Sequence, residues 1–336
     1  MYVVQGAFRL PTSGGGEAQL QAVQGAYNQN DFQAAIAAAD AVLASDPQNV
    51  DALLAKALSL AQEGSLQFRE NELAPQAIAL AQQALAVQPD NADAWRIIGY
   101  SYEIMQQYDQ AHAAYAKSLA IDPRSAITLS QEAHAYALQG ELDKARAEYQ
   151  QALAIDPSLE QARLGIAKLA SSQDAASSIA LLESIASTTP NVRLQAESLY
   201  SAGVLQLGLG QLQAAQQSME GAIAADASYP LAYVGRATVS YDLAIATSSA
   251  RTATQRAALL AQSFQDLETA LGLNQNQTIA LYQYGMELGS IGQKDTALKF
   301  LSEALLALPK DITLASNEKA DMQQQISAAQ AYITAH

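Results

Sequence analysis

Small and apolar residues recur along this chain at helical spacing, three and four positions apart, in segments of about a dozen residues. Six of these segments run into a proline: AVLASDP at Pro47, ALAVQP at Pro89, SLAIDP at Pro123, ALAIDP at Pro157, ESIASTTP at Pro190 and ALLALP at Pro309. Two more, AIAADA ending at Ala227 and ALGLNQ ending at Gln275, fill the same slot without proline. The intervals between the eight marks are 42, 34, 34, 33, 37, 48 and 34 residues. Proline fixes φ and lacks an N–H, so each mark stops a helix before the next begins. The pattern therefore predicts an all-α chain built from a repeated helical unit.

Within the unit, particular residue types return at fixed places. One copy carries Trp95, Ile98-Gly99, Tyr102, Ala111, Tyr115 and Pro123, and the next carries Leu129, Ala133, Tyr136, Ala145, Tyr149, Ala152 and Pro157. Leu199, Gly203, Ala215, Met219 and Ala222 follow the same order, as do Leu281, Gly285, Ala297, Leu301, Ala304 and Pro309. Leu53, Ala57, Ala77, Ala81 and Ala84 form a small-residue version, and residues 159–190 and 230–275 are degenerate copies. With its 34-residue period, this pattern resembles the tetratricopeptide repeat (TPR) family over about residues 17–311, roughly eight units.

The resemblance implies a right-handed α-solenoid of helix-turn-helix units, each burying its apolar face against its neighbours. Gly99 and Ala133 then stand where paired helices cross closely, and Tyr102, Tyr136 and Trp95 fill the space between units. Residues 312–336 read as a capping helix, made polar by Glu318, Lys319, Asp321 and Gln323–Gln325. Two excursions interrupt the period, an eight-residue excess near 63–75 and fourteen extra residues near 246–262. The second reads as longer helices around a Ser/Thr-rich turn. Such insertions serve either as binding elements or as tolerated longer hairpins.

Before the repeats, residues 1–16 are different. Tyr2, Val3, Val4, Phe8 and Leu10 make a strand-type stretch ahead of Pro11 and a Gly14–Gly16 hinge. This reads as an extended arm, either exchanged between copies of the chain or folded back on its own first repeat.

Composition narrows the function. Alanine supplies 71 of 336 residues, which suits helices that approach closely. With 18 basic against 33 acidic residues the net charge is −15, a poor match to a phosphate backbone, so nucleic acid is not an expected partner. No apolar run is long enough to span a membrane. The absence of cysteine excludes disulfides, thiolate metal sites and a cysteine nucleophile. His112 and His134 have no histidine or carboxylate three or four residues after them, and the Gly14–Gly16 and Gly208–Gly210 clusters lack a phosphate-cradling context. Asp93, Asp122, Asp156 and Asp226 stand at turn or cap positions. No catalytic, metal or cofactor site is expected, and the repeats leave no room for a catalytic domain in this sequence.

The remaining candidate is the inner face. In the TPR family the first helix of each unit lines a concave groove, which places Leu54, Leu58, Arg96, Tyr100, Ser130 and His134 there, followed by Leu164, Lys168, Tyr200, Val204, Val234, Thr238, Tyr282 and Met286. The family's carboxylate clamp is missing, with one Arg and one Lys far apart, so the groove reads as apolar and aromatic. Two functions follow. One is a non-catalytic scaffold that assembles with copies of itself, as a filament or surface assembly, through the arm, the solenoid ends and the groove. The other is an adaptor that holds an extended peptide or helix of another protein in the groove. Low charge and absent cysteine lean towards an extracellular or cell-surface location over the cytoplasm. Asn276-Gln277-Thr278 is a lone glycosylation-type sequon.

Overall fold

The computed structural model describes residues 17–66, 69–169, 174–246, 251–274, 277–311, 314 and 316–335. The arm residues Tyr2, Val3, Val4, Phe8 and Leu10, the glycine hinge, Asn276 of the sequon and the joint within the second insertion lie outside this set. Among the described residues the chain is all helical, with seventeen α-helices and one short 3₁₀ turn at Leu308–Lys310. Contacts divide it into two compact units, residues 1–166 and 167–336.

In the first unit the helices are α1 (Glu17–Asn28), α2 (Phe32–Ser45), α3 (Val50–Leu66), α4 (Glu70–Val87), α5 (Ala92–Ile104), α6 (Tyr108–Ile121), α7 (Ala126–Leu138) and α8 (Leu142–Ile155). They pack as consecutive antiparallel pairs, α1 with α2 through α7 with α8, and each pair packs on the next. The helix α9 (Glu160–Lys168) spans the division between units. The second unit continues with α10 (Ala175–Thr188), α11 (Val192–Gly208), α12 (Leu212–Ala225), α13 (Pro230–Ile245), α14 (Ala253–Leu273), α15 (Thr278–Ser290), α16 (Lys294–Ala307) and α17 (Ser316–Ala335). Here α11 pairs with α12, α13 with α14 and α15 with α16, and α17 packs on α16. This is the helix-turn-helix packing of a TPR solenoid.

Local chemistry sets the boundaries. Asn91, Ser125 and Asn191 cap α5, α7 and α11 by accepting backbone N–H bonds in the first turn. Asp122, Asp156 and Asp226 end α6, α8 and α12, and each carboxylate accepts the N–H two residues on, which closes the turn before the next pair. At Gly140, Gly210 and Gly292 the turn inside a pair needs φ of +82°, +71° and +83°, a region where a side chain is strained.

The close crossings follow the expected slots. A Cβ at Gly99 stands 2.6 Å from the ring of Tyr115, whose own exposure is 0%. Around such crossings the alanines disappear from solvent: Ala57, Ala111, Ala133, Ala145, Ala215 and Ala297 are all fully buried. A larger residue there would drive the helices apart, which explains much of the alanine excess. Helix α17 lays Ile326, Ala329 and Ile333 onto Ala297, Leu301 and Ala304, covering the apolar face of α16. Both excursions lengthen helices: α3 and α4 reach 17 and 18 residues, and α13 and α14 reach 16 and 21.

Candidate interaction surface

The first helices of successive pairs are joined by side-chain bonds between residues about one repeat apart. In the first unit, Tyr100 of α5 donates to Gln62 Oε1 of α3 at 3.3 Å, and Arg96 Nη1 donates to Gln131 Oε1 of α7 at 3.4 Å. Arg96 also holds Asp93 of its own first turn through Nε at 2.9 Å. Below them Glu103 collects two partners, the Tyr115 hydroxyl at 2.6 Å and His134 Nδ1 at 2.7 Å. Burial and this carboxylate together push the Tyr115 hydroxyl well above its ordinary range.

In the second unit part-buried ion pairs appear, one joining first helices (Lys168 of α9 to Glu197 of α11) and two within a pair (α11 to the end of α12, and α13 to α14). Lys168 Nζ donates to Glu197 Oε1 at 2.8 Å, and Arg193 Nη1 to Asp226 Oδ2 at 2.9 Å while its guanidinium lies over the Tyr229 ring. Arg236 grips Asp266 with two bonds of 2.8 and 2.7 Å, and Gln262 adds a third to the same carboxylate. Ser263 and Gln283 donate to Glu287 Oε1, whose carboxyl burial pushes up.

These contacts change the expected groove. Leu54, Leu58, Arg96, Tyr100 and Val234 are each at most 2% exposed, so none of the five lines an open surface. Leu54 and Leu58 belong to the core cluster with Val23 and Ile97, and Val234 packs with Leu267, Ala270 and Ala280. Arg96 and Tyr100 are spent on the neighbouring first helices, as above. His134 is half-buried against Glu103, and Tyr200 is half-buried edge-on to Tyr229. Tyr282 is half-buried against the terminal cluster. Lys168, Val204 and Met286 are exposed. The face is thus mixed, and more polar than its sequence suggests.

Sequence reasoning missed Gln62, Glu103, Glu132, Glu197, Asp266 and Glu287, all buried polar residues on or beside the first helices. Most of their partners stand 24 to 38 residues away, or 12 to 20 between consecutive helices, and a search three or four positions along a helix meets only Gln262 for Asp266 and Gln283 for Glu287. A search one repeat period away would have met the distant ones. Asp226 likewise has a second role, since the capping carboxylate also receives Arg193.

At the second insertion, α12, α13 and the lengthened start of α14 frame a cavity of about 430 Å³, lined by Glu220, Arg236, Ser240, Arg251, Gln255 and Gln262 among others. Thr252 starts α14 there with a reciprocal capping box to Gln255. At the C-terminal end, α17 turns Gln324, Ala328, Ala331 and Tyr332 outward, with Tyr332 65% exposed. No residue from Met322 to Ala335 is charged. Among the described residues no helix is long and apolar enough to cross a membrane, and no group of three metal-ligating side chains forms.

Comparison with known proteins agrees with this architecture. Family models described as tetratricopeptide repeat match residues 20–67, 92–125 and 196–229, and one described as TPR repeat matches 133–173. No curated protein sequence matches the chain. Among solved structures, the APC/C hetero-tetramer Cut9–Hcn1 is similar at 17% identity and a TM-score of 0.62, over 92% of this chain and 55% of that one. Yeast Tom70 is similar at 15% identity and a TM-score of 0.53, over 96% of this chain and 66% of that one. The chain therefore spans less than two thirds of the length of either. None of the matching family models describes a catalytic domain. Repeat period, paired helices, small residues at the crossings and these four matches make the chain a tetratricopeptide repeat protein, a scaffold for protein–protein interaction.

Proposed function

We propose that this scaffold is non-catalytic and assembles with copies of itself, using residues 1–16 and the outer faces of its terminal helices. The observation that carries the reading is the cap. A solenoid end that must stay apart from its neighbours needs a polar outer face. Here the exposed side of α17 offers alanine, glutamine and a protruding tyrosine without a charge over its last fourteen residues. At the other end, Ala18 to Asn30 are also uncharged, with Gln21 and Ala22 exposed on α1. Two such ends can meet without desolvating charge, and a head-to-tail contact between them propagates as a filament. A surface or extracellular setting fits a chain with 15% charged residues and no cysteine.

Light scattering and negative-stain microscopy of the full chain test the reading, beside a double variant Ala328→Glu/Tyr332→Glu and a deletion of residues 1–16. Assemblies in the parent that disperse in both altered proteins support it. A parent that stays monomeric at high concentration, or assembly indifferent to both changes, rejects it. The adaptor reading keeps one supporting observation: Val204 of α11 and Met286 of α15 remain exposed beside half-buried Tyr200 and Tyr282. A partner peptide held there would be lost on Val204→Glu/Met286→Glu while self-assembly persists.

A further inference from the structure

The first unit holds both histidines that precede the chain's last residue, and His112 stands at an unusual joint. It projects from α6, and both of its ring nitrogens face acceptor oxygens of α7. Nδ1 lies 3.3 Å from Glu132 Oε1, and Nε2 lies 2.7 Å from Gln139 Oε1, at the C-terminal cap of the same helix. The ring also stacks on Tyr136 of α7, with centroids 4.2 Å apart and planes at 28°. A neutral imidazole carries one N–H and satisfies only one of these oxygens, whereas the imidazolium donates to both.

The surroundings favour the charged ring. From α7 it faces Glu132 and Tyr136, and from α5 the Glu103 carboxylate acts on it. From α8, Glu148 stands close enough to Glu132 for its own carboxyl to be pushed up by burial and by that neighbour, so a cation between α6 and α7 relieves a crowding of carboxylates. His134 adds a parallel tie from α7 to Glu103 on α5.

We propose that His112 is a proton-operated clamp between α6 and α7, closed when the ring is protonated and loosened when it is neutral. Loss of the proton leaves one part-buried acceptor without its histidine donor and removes the positive charge from beside Glu132 and Glu103. The junction between two adjacent repeats then opens more often, while α6 and α7 stay helical. Burial alone would lower the affinity of His112 for its proton. The bonds to Glu132 and Gln139 and the field of both carboxylates reverse this and raise it above the ordinary histidine value of 6.5. The sign follows: the clamp's contribution is complete below the ordinary value and disappears as pH rises through the raised one. This device is independent of the assembly reading, since it acts within one chain.

The test is an NMR titration of the full chain, with the His112 signal assigned by its absence in His112→Gln. The expected result is a midpoint above that of the terminal His336, with a loss of amide protection in α6 and α7 over the same pH range. In Glu132→Gln, which keeps a side chain of the same shape, the midpoint falls and the pH step in protection shrinks. If Gln139 presents its amide N–H₂ to a neutral ring, His112 titrates at or below the ordinary value, and that result overturns the clamp. Unchanged protection of α6 and α7 across the titration overturns it as well.

Discussion

The two units share one repeat geometry and place their buried polar contacts differently. In the first, joints between first helices run from tyrosine, arginine and histidine to glutamine or glutamate, as in Tyr100–Gln62, Arg96–Gln131 and His134–Glu103. In the second, Lys168–Glu197 joins α9 to α11, whereas Arg193–Asp226 and Arg236–Asp266 tie a first helix to its own partner, α11 to the end of α12 and α13 to α14. The close crossings differ too. Gly99 and Gly165 meet the rigid rings of Tyr115 and Tyr149, whereas Gly203 and Gly235 meet the flexible thioether of Met219. The repeat therefore fixes where paired helices cross, and leaves open which polar side chains bond and how stiffly each crossing packs.

The largest expected effect lies at the doubly bonded pair. Asp266 is 2% exposed and Arg236 is 23% exposed at the side chain. Asp266→Ala leaves a guanidinium half-buried without its carboxylate and should cost ~3 kcal/mol in urea unfolding. Glu103→Gln keeps a bond to Tyr115 and should cost about 1–2 kcal/mol. Equal losses would erase the distinction between units.

The crossings give the next contrast. A methyl at Gly99 collides with the Tyr115 ring at 2.6 Å, so Gly99→Ala should cost about 2–3 kcal/mol, within the range for overpacked cores. At Gly203 the nearest atom, 2.7 Å away, is the terminal methyl of Met219, which can rotate aside. Gly203→Ala should lose less than half as much by the same unfolding measurement. A larger loss at Gly203 would show that Met219 is locked.

A smaller effect separates the units by pH. The Asp226 carboxyl is pushed up by burial, but bonds from Ser228 and Arg193 outweigh this and hold it below the ordinary value of 3.8. A lowered carboxyl stabilises above the ordinary value and loses its contribution as pH falls through the lowered one. Asp226→Asn should therefore flatten the acid limb of the stability curve and leave the alkaline limb unchanged. At Lys168 the cation is 41% exposed and its partner Glu197 only 4%, so Lys168→Ala leaves a buried carboxylate and should cost about 1–2 kcal/mol by thermal unfolding, less than Asp266→Ala.

Much of the fold is legible in the sequence because it depends on size and backbone chemistry. Proline and aspartate mark the helix ends, Gly99 and Ala133 mark the crossings, and Ile326 and Ile333 give the last helix an inner face. The joints are less legible. Apolar spacing identifies a face and says nothing of which polar residues are buried beside it, so Glu103 and Glu197 pass as surface charges. Tyr100 reads as a groove aromatic until Gln62, 38 residues earlier, supplies the acceptor for its hydroxyl. The outward faces of α1 and α17 are legible only as an absence of charge, because a face that packs on no neighbouring repeat follows no internal period.

Hydrogen exchange of the full chain across pH tests the central contrast most directly, read peptide by peptide after correction for intrinsic exchange. The account predicts opposite trends. Helices α6 and α7 lose protection as pH rises past the histidine range, while α11 to α13 hold theirs there and lose it only in acid. Protection that moves in the same direction in both sets of helices would contradict it.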